Sequence, residues 1–190
     1  YVQIPFCHTL CKFCCWAAKY EPKHIVGLDR FREPYLAKLK WEIRERAKVR
    51  EERDRLDLKV IHFGGGTPSV LSAAELGEIL ATLLEAYDLE VTDVETIGIE
   101  IRPDSVDPAK LRALRGLGFN RVSIGAQTFD AEVLRAVGRH LTPGQLFEAY
   151  HAAREAGFED LNVDLLFGLP GQTLDGVRAD ADTLLALAPA

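Results

Sequence analysis

The chain has 190 residues, with 23 Lys+Arg against 29 Asp+Glu and a formal net charge of −6. Hydrophobic residues make up 47% and charged residues 27%, which is ordinary globular composition. The acidic balance speaks against a nucleic-acid partner, which calls for a basic stripe, and no apolar run approaches the roughly 18–20 residues of a membrane span.

Taken in chain order, residues 1–5 (YVQIP) read as a short strand that runs into a cysteine-rich loop. Residues 29–55 read as a long helix, with Asp29 as its cap and Leu36, Leu39 and Ile43 on one apolar face. Its second half, KVREERDRLD, is a mixed-charge run expected to be a solvated face. A strand at 58–63 (LKVIHF) leads into the turn GGGTPS. Ser72 then caps a helix over 73–87, with Glu75 at the capping-box position. A third strand spans about 94–101, and a helix at 108–116 has Asp107 as cap and Pro108 in its first turn. A fourth strand covers 121–126, short helices follow near 130–137 and 143–156, the latter capped by Thr142, and a fifth strand covers 161–167. The loop GLPGQT and a helix at about 173–187 complete the pattern. The chain opens at Tyr1 inside a strand-like run, stops just past that helix and contains no methionine, so it is expected to be a piece of a longer protein.

A β-α alternation repeated about five times implies an α/β fold with parallel strands and right-handed crossovers. It leaves two architectures, an open doubly wound sheet or a barrel. Both place ligands at the carboxyl ends of the strands. The polar residues and glycines gather at those ends: the cysteine loop, GGGTPS, Glu100, Gln127 and Asp164.

All four cysteines, Cys7, Cys11, Cys14 and Cys15, fall within nine residues. Four cysteines in one short loop staple nothing, so a disulfide framework is not expected. With no signal-peptide pattern, clustered thiols point to a reducing, cytoplasmic compartment and to metal or redox chemistry. Zinc would need His8, Cys15 or His24 to complete a set of four, because no second CxxC exists. A thioredoxin-like pair, Cys11 and Cys14, would be expected to open a helix rather than follow another cysteine in a loop. An iron–sulfur cluster is the third chemistry, and three cysteines on a four-iron cube would leave one iron open to a ligand. Adjacent side chains diverge, so Cys15 is expected to be a small buried thiol beside the site, although a Cys7/Cys11/Cys15 set is geometrically conceivable.

GGGTPS lacks the lysine of a P-loop and the spacing of GxGxxG, so it is not expected to bind nucleotide phosphate. Three glycines after a strand allow close backbone approach to a ligand, or form a plain tight turn. Glu100 and Asp164 lie in apolar strands, where a carboxylate needs a partner. The partner is either a cationic ligand group, such as an α-ammonium, or an arginine such as Arg102 or Arg121. Gln127 could donate or accept at a strand end. Arg139 follows Gly138 and faces either a ligand carboxylate or, more commonly for such a residue, solvent.

YVQIPFCHTLCKFC, HFGGGTPS, IEIRPDS, FNRVSIGAQTFD and NVDLLFGLPGQT occur in this order across essentially the whole chain. Together they resemble the HemN-like radical S-adenosylmethionine (SAM) superfamily. That group includes oxygen-independent coproporphyrinogen III oxidase, HemW-type heme chaperones and class C radical SAM methyltransferases and cyclopropanases. The resemblance implies a partial (β/α)6-type TIM-like barrel. It implies that Cys7, Cys11 and Cys14 ligate a 4Fe-4S cluster whose open iron takes the amino and carboxylate groups of SAM. Tyr1, Gly65 and Glu100 match positions that contact this SAM. Phe13, Gly66, Thr67, Gln127, Arg139 and Asp164 match those of relatives with a second SAM site. It also implies a small-molecule substrate and an electron donor such as flavodoxin or ferredoxin.

The departures bear on the subgroup. The porphyrin oxidase has a further cysteine two residues after the last ligand, where this chain has Trp16 and places Cys15 adjacent instead. HemW-like sequences have an acidic or amide residue and then an aromatic there, so Trp16 agrees with them and Cys15 does not. They also commonly carry Asn where this chain has Arg102. On these departures the chain is expected to be a methyl-transferring or cyclopropane-forming member. Reductive cleavage of SAM would then give a 5′-deoxyadenosyl radical that activates a second SAM as methyl or methylene donor to an sp2 carbon. A HemW-type heme chaperone and a coproporphyrinogen III oxidase, which decarboxylates oxidatively, are the alternatives.

Overall fold

The computed structural model describes residues 1–15, 28–49 and 58–187. Trp16, His24 and the charged run at 50–57 lie outside the described residues. Five strands are present among those described: β1 (Val2–Ile4), β2 (Val60–Gly65), β3 (Thr96–Ile101), β4 (Arg121–Gln127) and β5 (Asp160–Leu165). The helices between and after them are α1 (Leu28–Lys48), α2 (Ala73–Ala86), α3 (Pro108–Gly116), α4 (Ala131–Ala136), α5 (Pro143–Glu155) and α6 (Leu174–Leu187). All adjacent strands pair in parallel, and their spatial order follows the chain, β1-β2-β3-β4-β5. A doubly wound sheet reverses direction at a switch point. This one never reverses, so each right-handed crossover advances one strand the same way, as in a barrel. The fold is α/β, a partial TIM-like barrel.

Local chemistry explains most element boundaries. Ser72 Oγ accepts from Glu75 N–H and the Glu75 carboxylate accepts from Ser72 N–H, a complete capping box at the start of α2. Thr142 and Gln145 form a second box at α5, and Asp107 caps α3 through Lys110 N–H. α1 differs from expectation: it begins at Leu28, so Asp29 lies inside its first turn rather than ahead of it. β5 ends at Leu165, two residues early: Leu166 N–H makes the last bond to β4, at Gln127 C=O, and Phe167 beyond it is exposed.

The period of 2 along each strand separates two faces. Ile61, Phe63, Ile97, Ile99, Val122, Ile124, Leu161 and Val163 face the helices and join Leu76, Ile79, Leu111, Leu114 and Leu146 in one buried core. Their neighbours His62, Gly98, Arg121 and Asp160 fall on the opposite, inner face in one register row. Glu100, Ser123 and Asn162 form the next row. A closed barrel packs its interior with branched apolar chains. Here the inner face is polar and glycine-rich, so it lines a site instead of a core. No helix among the described residues is long and apolar enough to cross a membrane.

Candidate functional site

At the carboxyl ends of the strands lies one concavity. Its walls carry Cys7, Cys11, Cys14 and Phe13 from the loop after β1, Gly66 and Thr67 after β2, and Glu100 and Arg102 of β3 and its end. Gly125, Gln127, Arg139 and Asp164 complete it from β4, the end of α4 and β5. The five strand ends do converge on one mouth.

The cysteine loop is held from both sides. Gly66 N–H donates to Ile4 C=O at 2.7 Å and Thr67 N–H to Phe6 C=O at 2.8 Å. Lys12 N–H donates to Val137 C=O at 2.9 Å, tying the loop to the end of α4. Gly66 is dictated by this crowding: a Cβ there would lie 2.6 Å from Phe6 O. Gly65 has φ +114°, a conformation that favours glycine. The glycine run is therefore a close-approach device rather than a plain turn.

The Thr67 hydroxyl donates to Cys7 Sγ at 3.4 Å. Burial pushes the Cys7 and Cys11 thiols up. The Thr67 hydroxyl and the Arg102 charge oppose this at Cys7, and Arg139 and Arg102 oppose it at Cys11. Cys15 is exposed, which corrects the expectation of a buried thiol. Consecutive side chains diverge, and with Cys14 turned into the concavity its neighbour faces outward.

Glu100 has neither of the expected arginine partners. Arg121 pairs bidentately with Asp160 at 2.6 and 2.7 Å, and Arg102 pairs with Asp104 at 2.7 Å. Instead His62 Nε2 lies 3.2 Å from Glu100 Oε1, and Gly65 N–H donates to Oε2 at 3.3 Å. Tyr1 stands outside the concavity and is 72% exposed, but its ring stacks on His62 with centroids 5.7 Å apart. Burial and the Glu100 charge raise the Tyr1 hydroxyl's pKa. Among the described residues Asp164 also has no arginine partner, and it accepts from Asn162 Nδ2 at 2.6 Å, on the solvent-facing inner side of β5.

Arg139 is 4% exposed, not a surface residue, because the turn after α4 folds it under the cysteine loop. Its Nε has no hydrogen-bond partner among the described residues. Gln127 sits at a β-bulge with φ +74°, strained for a residue with a Cβ. Its Nε2 and the Arg139 guanidinium both crowd Gly125. Sequence reasoning missed His62, Thr9 and Arg102 as site residues. For His62 the signal was strand alternation, which places it on the face of Gly64 and Glu100.

Could these residues hold an iron–sulfur cluster? Three thiols line one wall, electrostatically coupled to one another and to two buried guanidiniums. An all-sulfur donor set beside positive charge suits a thiolate-bound cluster. Among the described residues no three His, Cys, Asp or Glu side chains close up on a single metal ion. The fit rests on donor chemistry: three thiols on one wall beside two buried guanidiniums suit the cluster.

The sequence matches the Radical SAM superfamily over residues 1–184. The chain belongs to that superfamily. Within it, the HemN-like resemblance holds. The chain is 40% identical over 190 residues to oxygen-independent coproporphyrinogen III oxidase of Pseudomonas aeruginosa, covering all of this chain and 40% of that protein. It is 34% identical over 187 residues to the heme chaperone HemW of Lactococcus lactis, covering 98% and 45%. The solved structure of coproporphyrinogen III oxidase (HemN) from Escherichia coli superposes with a TM-score of 0.83 at 36% identity, covering 100% of this chain and 41% of that one. The chain thus spans less than half the length of these relatives.

Proposed function

We propose that this chain is the cluster- and SAM-binding core of a radical SAM oxidase acting on a porphyrinogen. The supporting observation is the 40% identity to the Pseudomonas oxidase along the entire chain. The methyl-transferring reading rests on the departures at Cys15, Trp16 and Arg102, and none of the relatives above carries it. The HemW-type reading stays in second place, supported by 34% identity over 187 residues.

In this reading Cys7, Cys11 and Cys14 hold the cluster. Bound there, cluster and SAM supply one-electron radical chemistry. Glu100 receives the ammonium group, with both carboxylate oxygens already aimed by His62 and Gly65 N–H. Gly66 lets the turn after β2 pack against the backbone of the cysteine loop and so fixes the wall that holds the ligand. Arg139, buried with a free Nε, faces a carboxylate, and Phe13, Gln127 and Asp164 line the room for a second SAM. Phe13 packs on Val133, Val137 and Leu169, closing that side to water.

The test is anaerobic reconstitution of the full-length protein, then dithionite, SAM and coproporphyrinogen III, with mass spectrometry of the products. The oxidase reading expects 5′-deoxyadenosine and carbon dioxide without S-adenosylhomocysteine. Stoichiometric S-adenosylhomocysteine would restore the methyl-transfer reading. Tight heme binding without substrate turnover would favour the chaperone.

A further inference from the structure

Arg102 does something that neither the ligand set nor the SAM contacts require. It follows β3, the strand that carries Glu100, and its side chain is buried at 5% exposure. A buried guanidinium is costly unless paired. One arm, Nη1, donates to the Thr9 hydroxyl, which lies in the cysteine loop between Cys7 and Cys11. Nε sits 2.7 Å from Asp104 Oδ1. The Arg102 backbone N–H donates to Ser69 Oγ at 3.1 Å, so the base of the side chain is pinned to the turn after β2. The charge cannot swing away, and almost no solvent reaches it for screening.

We propose that Arg102 sets the reduction potential of the cluster held by Cys7, Cys11 and Cys14. The physics is electrostatic. Three thiolates around a cluster make a negative centre, and reduction adds one more electron to it. A fixed positive charge in a poorly screened place stabilises the reduced form more than the oxidised form, and so raises the potential. Asp104 works in the opposite sense, as the countercharge that limits the effect. Arg102 lines the same concavity as Cys7, Cys11 and Cys14, which puts its charge beside all three thiols. Arg139 lines the same concavity, but it forms no ion pair among the described residues, whereas Arg102 is anchored to the cysteine loop through Thr9 and to Asp104. Arg102 is held by the Thr9 hydroxyl and the Asp104 carboxylate, and through them its charge is fixed beside the cysteine loop.

The proposal rests on the cluster reading, and its test separates the two. The full-length protein is reconstituted anaerobically, iron and sulfide are counted, and the midpoint potential is measured by redox titration followed by electron paramagnetic resonance. Wild type without iron and sulfide would overturn the cluster reading and this proposal with it. With the cluster present, Arg102→Met is expected to shift the potential downward and Asp104→Asn upward. Arg102→Lys, which keeps the charge, is expected to remain near wild type. Thr9→Val, which removes only the hydroxyl bond, is expected to move it less than Arg102→Met does. If Arg102→Met retains the cluster at the wild-type potential, the proposal is wrong. Should that variant fail to load, Asp104→Asn decides: an unmoved or lowered potential overturns the assignment.

Discussion

His62 Nε2 lies 3.2 Å from Glu100 Oε1 across the β2–β3 pair, while Gly65, three residues further along β2, donates its N–H to the other carboxylate oxygen. One strand thus aims both oxygens of a carboxylate on its neighbour. Gly98, two residues before Glu100, makes this possible: a Cβ there would meet His62 Nδ1 at 3.0 Å.

Glu100→Gln is therefore expected to weaken SAM binding by about 10- to 100-fold, since a hydrogen bond to a charged group is worth roughly 1.5–3 kcal/mol. His62→Ala removes only an aiming bond and is expected to lose about 2- to 10-fold. Titration calorimetry on the reconstituted full-length protein measures both. Equal losses would mean that His62 contacts the ligand itself.

The thiols divide by the side of the backbone they face. Cys7→Ala, Cys11→Ala and Cys14→Ala are each expected to lose the cluster, read as iron and sulfide content and visible absorbance after reconstitution. Cys15→Ala, an exposed position, is expected to keep it. Loss of absorbance in the Cys15 variant would reassign the ligands.

Glycine crowding makes a paired prediction. Gly66→Ala would press a methyl to 2.6 Å from Phe6 O, where both partners are backbone and neither can move aside. A loss of about 1–3 kcal/mol in chemical denaturation is expected, the usual scale of overpacking. Gly116→Ala, with no atom of the described residues within 4 Å of the added carbon, is expected to be neutral or stabilising by up to about 1 kcal/mol, because Gly116 ends helix α3.

Gln127 holds φ +74° at a bulge beside Arg139 and Gly125. Gln127→Gly is expected to fold at least as stably as wild type while weakening SAM binding. Gln127→Val, β-branched, is expected to lie roughly 1–3 kcal/mol below the glycine variant in thermal or denaturant unfolding. Similar stabilities for the two would show that the backbone relaxes there without strain.

The helix caps at Ser72, Asp107 and Thr142 were legible because each bond spans three residues or fewer. Strand alternation was legible for the same reason and already separated Glu100 from Ile99 and Ile101. The fate of single charges was not. Arg139 looks like a surface residue from its neighbours alone and Arg102 like a partner for Glu100, yet both are buried by segments far away in the chain. Arg102 meets Thr9 93 residues earlier, and Lys12 reaches Ala136 124 residues later. The Ser69 and Ser105 hydroxyls, 2.5 Å apart, join the GGGTPS and IEIRPDS turns, a link that neither motif announces.

Read alone, the sequence determined the β-α order, the caps, the clustering of thiols and the family, because each is a property of short stretches or of motifs in a row. The tertiary structure decided that the strands advance in one direction, that Glu100 answers to His62 and not to an arginine, that Cys15 faces out, and that two guanidiniums lie buried against the cysteine loop. Those outcomes depend on which distant segments pack together and on what is left to neutralise a charge once water has gone.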